Sequence, residues 1–166
     1  MQTMDHPSVV SFKRIFENTK FIILEMELIP GGQLKKLYKL KNDKGEPQPL
    51  TDLQASQVMK SLLKGVAYIH ERNIIHRDLK PENILLAKDE EDCFDVKIVD
   101  FGLSAEFNLK HRENDKAGTL LYMAPEQVTK KGYSKKIDIW ACGIIQYKLL
   151  TCGEHPCYEK GESGYL

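Results

Sequence analysis

The alternation of apolar and polar positions divides the chain into short extended runs followed by longer helical ones. Residues 9–16 and 21–28 are rich in β-branched and aromatic side chains and flank the polar stretch Glu17-Asn18-Thr19-Lys20, which predicts a β-hairpin. Pro30-Gly31-Gly32 breaks the second run. Residues 34–40 carry the pattern of a short basic amphipathic helix, and 41–49 (KNDKGEPQP) read as a charged loop. Thr51-Asp52-Leu53-Gln54 has the form of a capping box. Apolar residues then recur at Ala55, Val58, Met59, Leu62, Leu63, Val66 and Ile69, the spacing of a buried helix that stops near Glu71-Arg72-Asn73. Two further apolar runs, 84–86 and 96–99, flank the charged segment 88–92 (KDEED), a solvated hairpin tip. Residues 137–150 are apolar almost throughout, and 151–166, with Gly153, Pro156 and Gly161, read as irregular.

Composition adds limits. The chain has 166 residues, 42% hydrophobic and 29% charged, enough for one domain with a core. Its 24 basic and 24 acidic residues cancel, so bulk charge gives no reason to expect a nucleic-acid or membrane partner. The start, MQTMDHPSVV, has no basic-then-apolar leader pattern, and no uninterrupted apolar run approaches about 18 residues. The four cysteines form no CxxC and read as free thiols in a reducing compartment. A soluble cytoplasmic protein is the expectation, with the nucleus as the alternative. Cys152, His155 and Cys157 lie close in sequence, but no matching ligand pair accompanies them, which favours a turn over a metal site.

The chemistry gathers in residues 76–83, HRDLKPEN. One short loop carries an acid (Asp78), a base (Lys80) and an amide (Asn83), and a second acid follows at Asp100 in the triplet DFG (Asp100, Phe101, Gly102). APE closes the pattern at Ala124, Pro125 and Glu126. HRD, an Asn five residues after its Asp, DFG and APE in this order resemble the eukaryotic protein kinases, and HRDLK resembles their Ser/Thr-specific branch. MELIPGG, GTLLYMAPE and GEHPC look most like the calcium/calmodulin-dependent group.

That resemblance implies an α+β, protein-kinase-like fold. Residues 1–29 would be the end of the small β lobe and the hinge, and 30–166 most of a mainly helical large lobe. It implies transfer of the ATP γ-phosphate to Ser or Thr hydroxyls of protein substrates, with Mg²⁺ as cofactor. Asp78 would accept the hydroxyl proton, and Lys80 would reach the γ-phosphate. Asn83 and Asp100 would supply the hard oxygen ligands that Mg²⁺ prefers. Thr119 resembles the residue that bonds the catalytic Asp and Lys. Met26 falls at the gatekeeper position, and Glu27 and Ile29 where hinge backbone groups meet adenine. Val10, Leu85 and Val99 would line the adenine slot. Gln33 falls where many relatives have a Glu that touches ribose or a substrate arginine. Glu82, at the edge of the ATP site, matches an acid that favours basic residues near the acceptor. Its plain alternative is an exposed loop carboxylate.

Supporting roles follow the same resemblance. His76, Arg77, Phe101 and Gly102 would shape the loop and the start of the activation segment. Asp138, in a D-x-W matching the helix that anchors the large lobe, would accept backbone N–H groups of the HRD loop, since a buried carboxylate must find donors. Glu126 would pair with an Arg beyond Leu166. Asp115 stands three residues before Gly118, where relatives often carry a phosphorylated Ser or Thr. It either stands in for that phosphate by pairing with Arg77, or is a solvated loop acid.

No G-x-G-x-x-G occurs, and no VAIK-like lysine precedes the hairpin. Both belong before Met1 in a complete domain of roughly 250 residues, and the last large-lobe helices belong after Leu166. The expectation is a partial catalytic domain, with room for a regulatory domain outside the chain. Two functions compete: an ATP-dependent protein Ser/Thr kinase, and a catalytically dead truncated kinase-like scaffold.

Overall fold

The computed structural model describes residues 4–90, 92–107, 117–129 and 132–157. Strands β1 (Phe12–Glu17) and β2 (Ile22–Met26) form the expected antiparallel hairpin. Asn18 closes its turn: its Oδ1 accepts the N–H groups of Lys20 and Phe21, both at 2.8 Å, the local bonding that makes Asn a turn residue. Ile15, Phe16, Phe21, Ile22 and Ile23 are exposed on this ribbon.

The main helix, α1 (Asp52–Glu71), opens with the predicted capping box. Thr51 Oγ1 accepts the Gln54 N–H at 3.3 Å, and Gln54 Oε1 accepts the Thr51 N–H at 3.0 Å. Its buried stripe contains every apolar position read from the sequence except Leu63, which is exposed. Ser61 and Gly65 take their place on the buried side. A Cβ at Gly65 would lie 2.7 Å from the Ser8 carbonyl, so the small residue lets the segment before β1 press against the helix.

After α1 come β3 (Ile74–Ile75), β4 (Ile84–Leu86), β5 (Val96–Ile98) and β6 (Ala105–Glu106). β3 pairs with β6, and β4 with β5, each antiparallel, giving three two-stranded sheets with the first hairpin. The short helices are α2 (Pro125–Val128) and 3₁₀ turns at Leu34–Lys39, Pro81–Asn83 and Leu120–Tyr122. The short helix expected over 34–40 is present as a 3₁₀ helix, Leu34–Lys39, whose three-residue period buries Leu34 and Leu37 together.

The last described helix is α3 (Lys136–Leu150). Ala141, Cys142, Ile145 and Leu149 join Val58, Met59, Leu62 and Val66 of α1 and Ile84, Leu86, Val96 and Ile98 of the β4–β5 ribbon in one core. Ile139, Trp140 and Tyr147 lie exposed on its other side. No helix among the described residues is long and apolar enough to cross a membrane.

Candidate active site

The loop between β3 and β4 is held from below. Asp138, in the first turn of α3, is 1% exposed. Its Oδ2 accepts the His76 N–H at 3.0 Å and its Oδ1 the Arg77 N–H at 3.0 Å. His70 Nε2, from α1, lies 2.7 Å from the same Oδ2. The predicted backbone donors are there; His70 is an addition the sequence reading missed.

His76 is fully buried, and both ring nitrogens are used. Nδ1 accepts the Asp78 N–H at 3.3 Å, so the proton sits on Nε2, which donates to the Val99 carbonyl at 3.0 Å. Burial pushes its pKa below the ordinary imidazole value, against the pull of Asp138 and the Val99 carbonyl. Phe101 packs edge-on against it, ring centroids 5.0 Å apart, and also meets Phe12 at 6.4 Å.

Above this base Asp78, Lys80, Asn83 and Thr119 interlock. Lys80 Nζ donates to Asp78 Oδ2 at 2.7 Å and to Thr119 Oγ1 at 2.9 Å. Thr119 Oγ1 donates to Asp78 Oδ1 at 2.8 Å. Asn83 Nδ2 donates to Asp78 Oδ2 and to the Asp78 carbonyl, both at 3.0 Å. Burial pushes the Asp78 pKa up, but the hydrogen bonds from Lys80 and Thr119 outweigh it and hold the carboxyl below the usual range.

Thr119 comes from a distant segment seated by Gln127. Its Oε1 accepts the Ala124 N–H at 2.9 Å, and its Nε2 donates to the Ala117 carbonyl at 3.3 Å. Gly118, at φ 113°, lies so close to the loop that an added Cβ would sit 2.4 Å from the Arg77 carbonyl.

Asn83 and Asp100 stand at one end of the β4–β5 ribbon. Val99 N–H donates to the Asn83 carbonyl at 3.0 Å, continuing the ladder one step past Ile84 and Ile98. Since Asn83 spends its amide N–H groups on Asp78, its Oδ1 remains an acceptor. Asp100 is exposed at φ 61° and receives the Gly102 N–H at 3.2 Å. Two hard oxygen donors at one ribbon end suit Mg²⁺.

The remaining predicted positions border this end less directly. Val10 is fully buried, its N–H on the Ile98 carbonyl at 2.9 Å; Leu85, Val99 and Ile29 are half-buried, and Met26 is exposed. Gln33 is exposed and bridges to Leu85. Gly31 packs so tightly on β4 that a Cβ would meet the Leu86 carbonyl at 2.2 Å. Glu27 is pinned at the end of β2: its Oε1 accepts from Lys97 Nζ and from the Ser11 N–H, each at 2.8 Å. Burial raises its pKa, and those two donors more than reverse the effect. Lys97 escaped the sequence reading because a lysine between two buried strand residues carries no signal of its partner.

Arg77 donates through Nε to the Leu103 carbonyl and through a guanidinium nitrogen to Tyr133 Oη at 3.3 Å. Asp115 lies outside the described residues. Glu126 lies in the first turn of α2, and its carboxylate has no hydrogen-bond or ion-pair partner among the described residues. His155 Nε2 donates to the Leu121 carbonyl at 2.7 Å and its Nδ1 accepts the Cys157 N–H at 3.1 Å, so both nitrogens serve the turn.

A buried loop acid is tied to a lysine, an amide and a threonine from a second segment, and a second acid stands at the adjoining ribbon end. The protein kinase domain model matches residues 1–165, and the chain belongs to that family. It is 35% identical to calcium-dependent protein kinase 4 of Plasmodium falciparum (isolate 3D7), over 99% of this chain and 31% of that protein. It is 37% identical to myosin light chain kinase A of Dictyostelium discoideum, over 95% of this chain and 51% of the relative. With calcium-dependent protein kinase 24 of Arabidopsis thaliana the identity is 40%, over 96% of this chain and 26% of the relative. The chain therefore spans about half or less of the length of these curated relatives.

Proposed function

We propose that the protein carrying this chain is an ATP-dependent protein Ser/Thr kinase. The observation that carries this reading is the closed set of contacts among Asp78, Lys80, Asn83 and Thr119. Phosphoryl transfer asks a protein mainly for positioning and charge neutralisation. Asp78, held ionised, accepts the proton of a substrate hydroxyl as its oxygen attacks the γ-phosphorus. The bond to the leaving ADP oxygen breaks in the same transfer. Lys80 offsets the charge that develops on the γ-phosphoryl oxygens. Thr119 fixes Asp78 and Lys80 relative to each other. Asn83 and Asp100 are the residues that would hold Mg²⁺, whose chemistry is to neutralise the nucleotide's phosphate oxygens. The end of β2 from Met26, with Ile29, Leu85 and Val99, is the candidate adenine border.

The substrates are proteins presenting a Ser or Thr. The basic flanking residue suggested by Glu82 alone is qualified by an ion pair described below. The free state of Cys93, Cys142, Cys152 and Cys157 supports placing the protein in the cytoplasm or nucleus.

The test is transfer of radiolabelled γ-phosphate from Mg²⁺-ATP to Ser-containing peptides by the full-length protein, with and without Asp78→Asn. The expected outcome is a loss of about 10²-fold or more in kcat with the variant. Nucleotide binding without any transfer by the unaltered protein would overturn the reading in favour of the scaffold alternative.

A further inference from the structure

The acceptor hydroxyl must reach Asp78, so the polypeptide carrying it runs past the groups around that carboxylate. An extended chain advances about 3.3–3.6 Å per residue. A residue two or three positions from the acceptor therefore lies roughly 7–10 Å from it, within the span of the 3₁₀ turn that follows Lys80. Glu82, next to Asn83 in that turn (Pro81–Asn83), is the acidic side chain there, and it is half-exposed. Its charge is felt by Tyr122, in the turn that follows Thr119. Burial first, and then Glu82, push that phenol's pKa up. Glu82 lies in the turn that directly continues the Asp78 loop, its side chain 41% exposed.

Glu82 is not available to a substrate as a lone carboxylate. Lys35 Nζ lies 3.7 Å from its Oε1. The 3₁₀ turn Leu34–Lys39 buries Leu34 and Leu37, which leaves Lys35, Lys36 and Lys39 on its outer side. Lys36 turns to Asp89 at 3.3 Å, and Lys35 turns to Glu82. Gln33, just before this turn, contributes no charge. This side of the site therefore offers a neutralised acid and a half-exposed ammonium.

We propose that Lys35 is a specificity-determining residue: it occupies Glu82 from within the chain, so that the site does not select a basic residue near the acceptor and accepts an acidic one there. A basic substrate residue must compete with Lys35 for the Glu82 carboxylate. An acidic one meets the Lys35 ammonium instead. This rests on the kinase reading of the same site.

The experiment uses the full-length protein and synthetic peptides of one sequence with a single Ser. Arg, Ala or Glu is placed two and three positions away, on either side. The ratio of kcat/KM between Arg and Ala peptides cancels any general loss of activity. For the unaltered protein that ratio stays near one, and the Glu peptide is used at least as well as the Ala peptide. Lys35→Ala raises the Arg-to-Ala ratio by about threefold or more, the scale of an exposed ion pair. Glu82→Gln in the Lys35→Ala background removes the rise. An unchanged ratio in Lys35→Ala, or a rise that survives Glu82→Gln, overturns the assignment. Transfer to none of the peptides would count against the kinase reading itself. Fluorescence anisotropy of labelled Arg and Glu peptides then reads the same preference as affinity, and equal affinities in Lys35→Ala would overturn the role of Lys35 separately.

Discussion

The Asp138 carboxylate grips the backbone of Arg77 where that backbone is least willing to stay. Oδ1 accepts the Arg77 N–H at 3.0 Å while Arg77 sits at φ 69°, a left-handed conformation that costs a non-glycine residue on the order of 1 kcal/mol. The other oxygen takes the His76 N–H and His70, so one carboxylate fastens the loop to α1 and α3 together. Asp138→Asn turns an N–H₂ toward donors and leaves at least one of them unpaired. The expected cost is about 2–4 kcal/mol of stability, read as a lower urea midpoint, with a loss of transfer activity as the loop loosens. A midpoint equal to that of the unaltered protein would show that the backbone grip is not needed.

Thr119 is predicted to act through its hydroxyl and not its bulk. Thr119→Val keeps the shape but leaves Asp78 Oδ1 and Lys80 Nζ short of a partner. It should lower kcat by about tenfold or more, because one lost charge-assisted hydrogen bond is worth roughly 1.5–3 kcal/mol. Thr119→Ser should recover most of that loss while leaving the KM for ATP little changed. Equal kinetics for the Val and Ser variants would contradict the role given to the hydroxyl.

Gly118 carries a different kind of constraint. At φ 113° any side chain is strained, and a Cβ would lie 2.4 Å from the carbonyl oxygen of Arg77, a residue whose N–H is held by Asp138. Gly118→Ala must therefore push the Thr119 segment away from the loop. The expected result is a fall in kcat larger than that of Thr119→Ser, with a stability loss of about 1–3 kcal/mol. Crystals of the variant would show the Thr119 Oγ1 to Asp78 Oδ1 contact lengthened beyond hydrogen-bond range.

The loop part of the site was legible in the sequence because its residues lie close together in the chain, whereas Thr119 and Asp100 come from later segments. Asp78, Lys80 and Asn83 span one loop, and the motif they form carries the resemblance to the protein kinases that implies their roles. α1 was legible for a related reason: a capping box and a 3.6-residue stripe are local signals. Leu63 was misplaced because periodicity gives a face but not its edge, and Ser61 bonds the Val96 backbone on the buried side instead. The helix at Leu34–Lys39 was legible too, but not its 3₁₀ form, because six residues barely distinguish a three-residue period from 3.6. His70, Lys97 and Lys35 were missed together. Each meets its carboxylate across a long gap in sequence, and such pairings are set by how the elements stack, which no local pattern records.

Acid should weaken the fold in two separate windows. The folded-state pKa of His76 is depressed by burial below the ordinary 6.5. Between that folded value and 6.5 the unfolded chain binds a proton that the folded one refuses, so stability rises with pH there and is lost as pH falls below 6.5. His6 adds in the same direction, lowered by burial and by Lys64, Arg72 and Lys97. Asp78 works lower down. Its folded pKa lies below the ordinary 3.8, so its contribution is present above 3.8 and fades only as pH falls through that lower folded value. Thermal unfolding from near neutral to about pH 5 should therefore show a falling midpoint that Asp78→Asn does not alter in slope. His76→Gln keeps an N–H donor for the Val99 carbonyl and cannot titrate. It should flatten that slope, although the protein itself is less stable by about 1 kcal/mol at neutral pH. A slope unchanged in His76→Gln and abolished in His6→Gln would assign the acid sensitivity to the half-buried His6 instead of the imidazole beneath the loop.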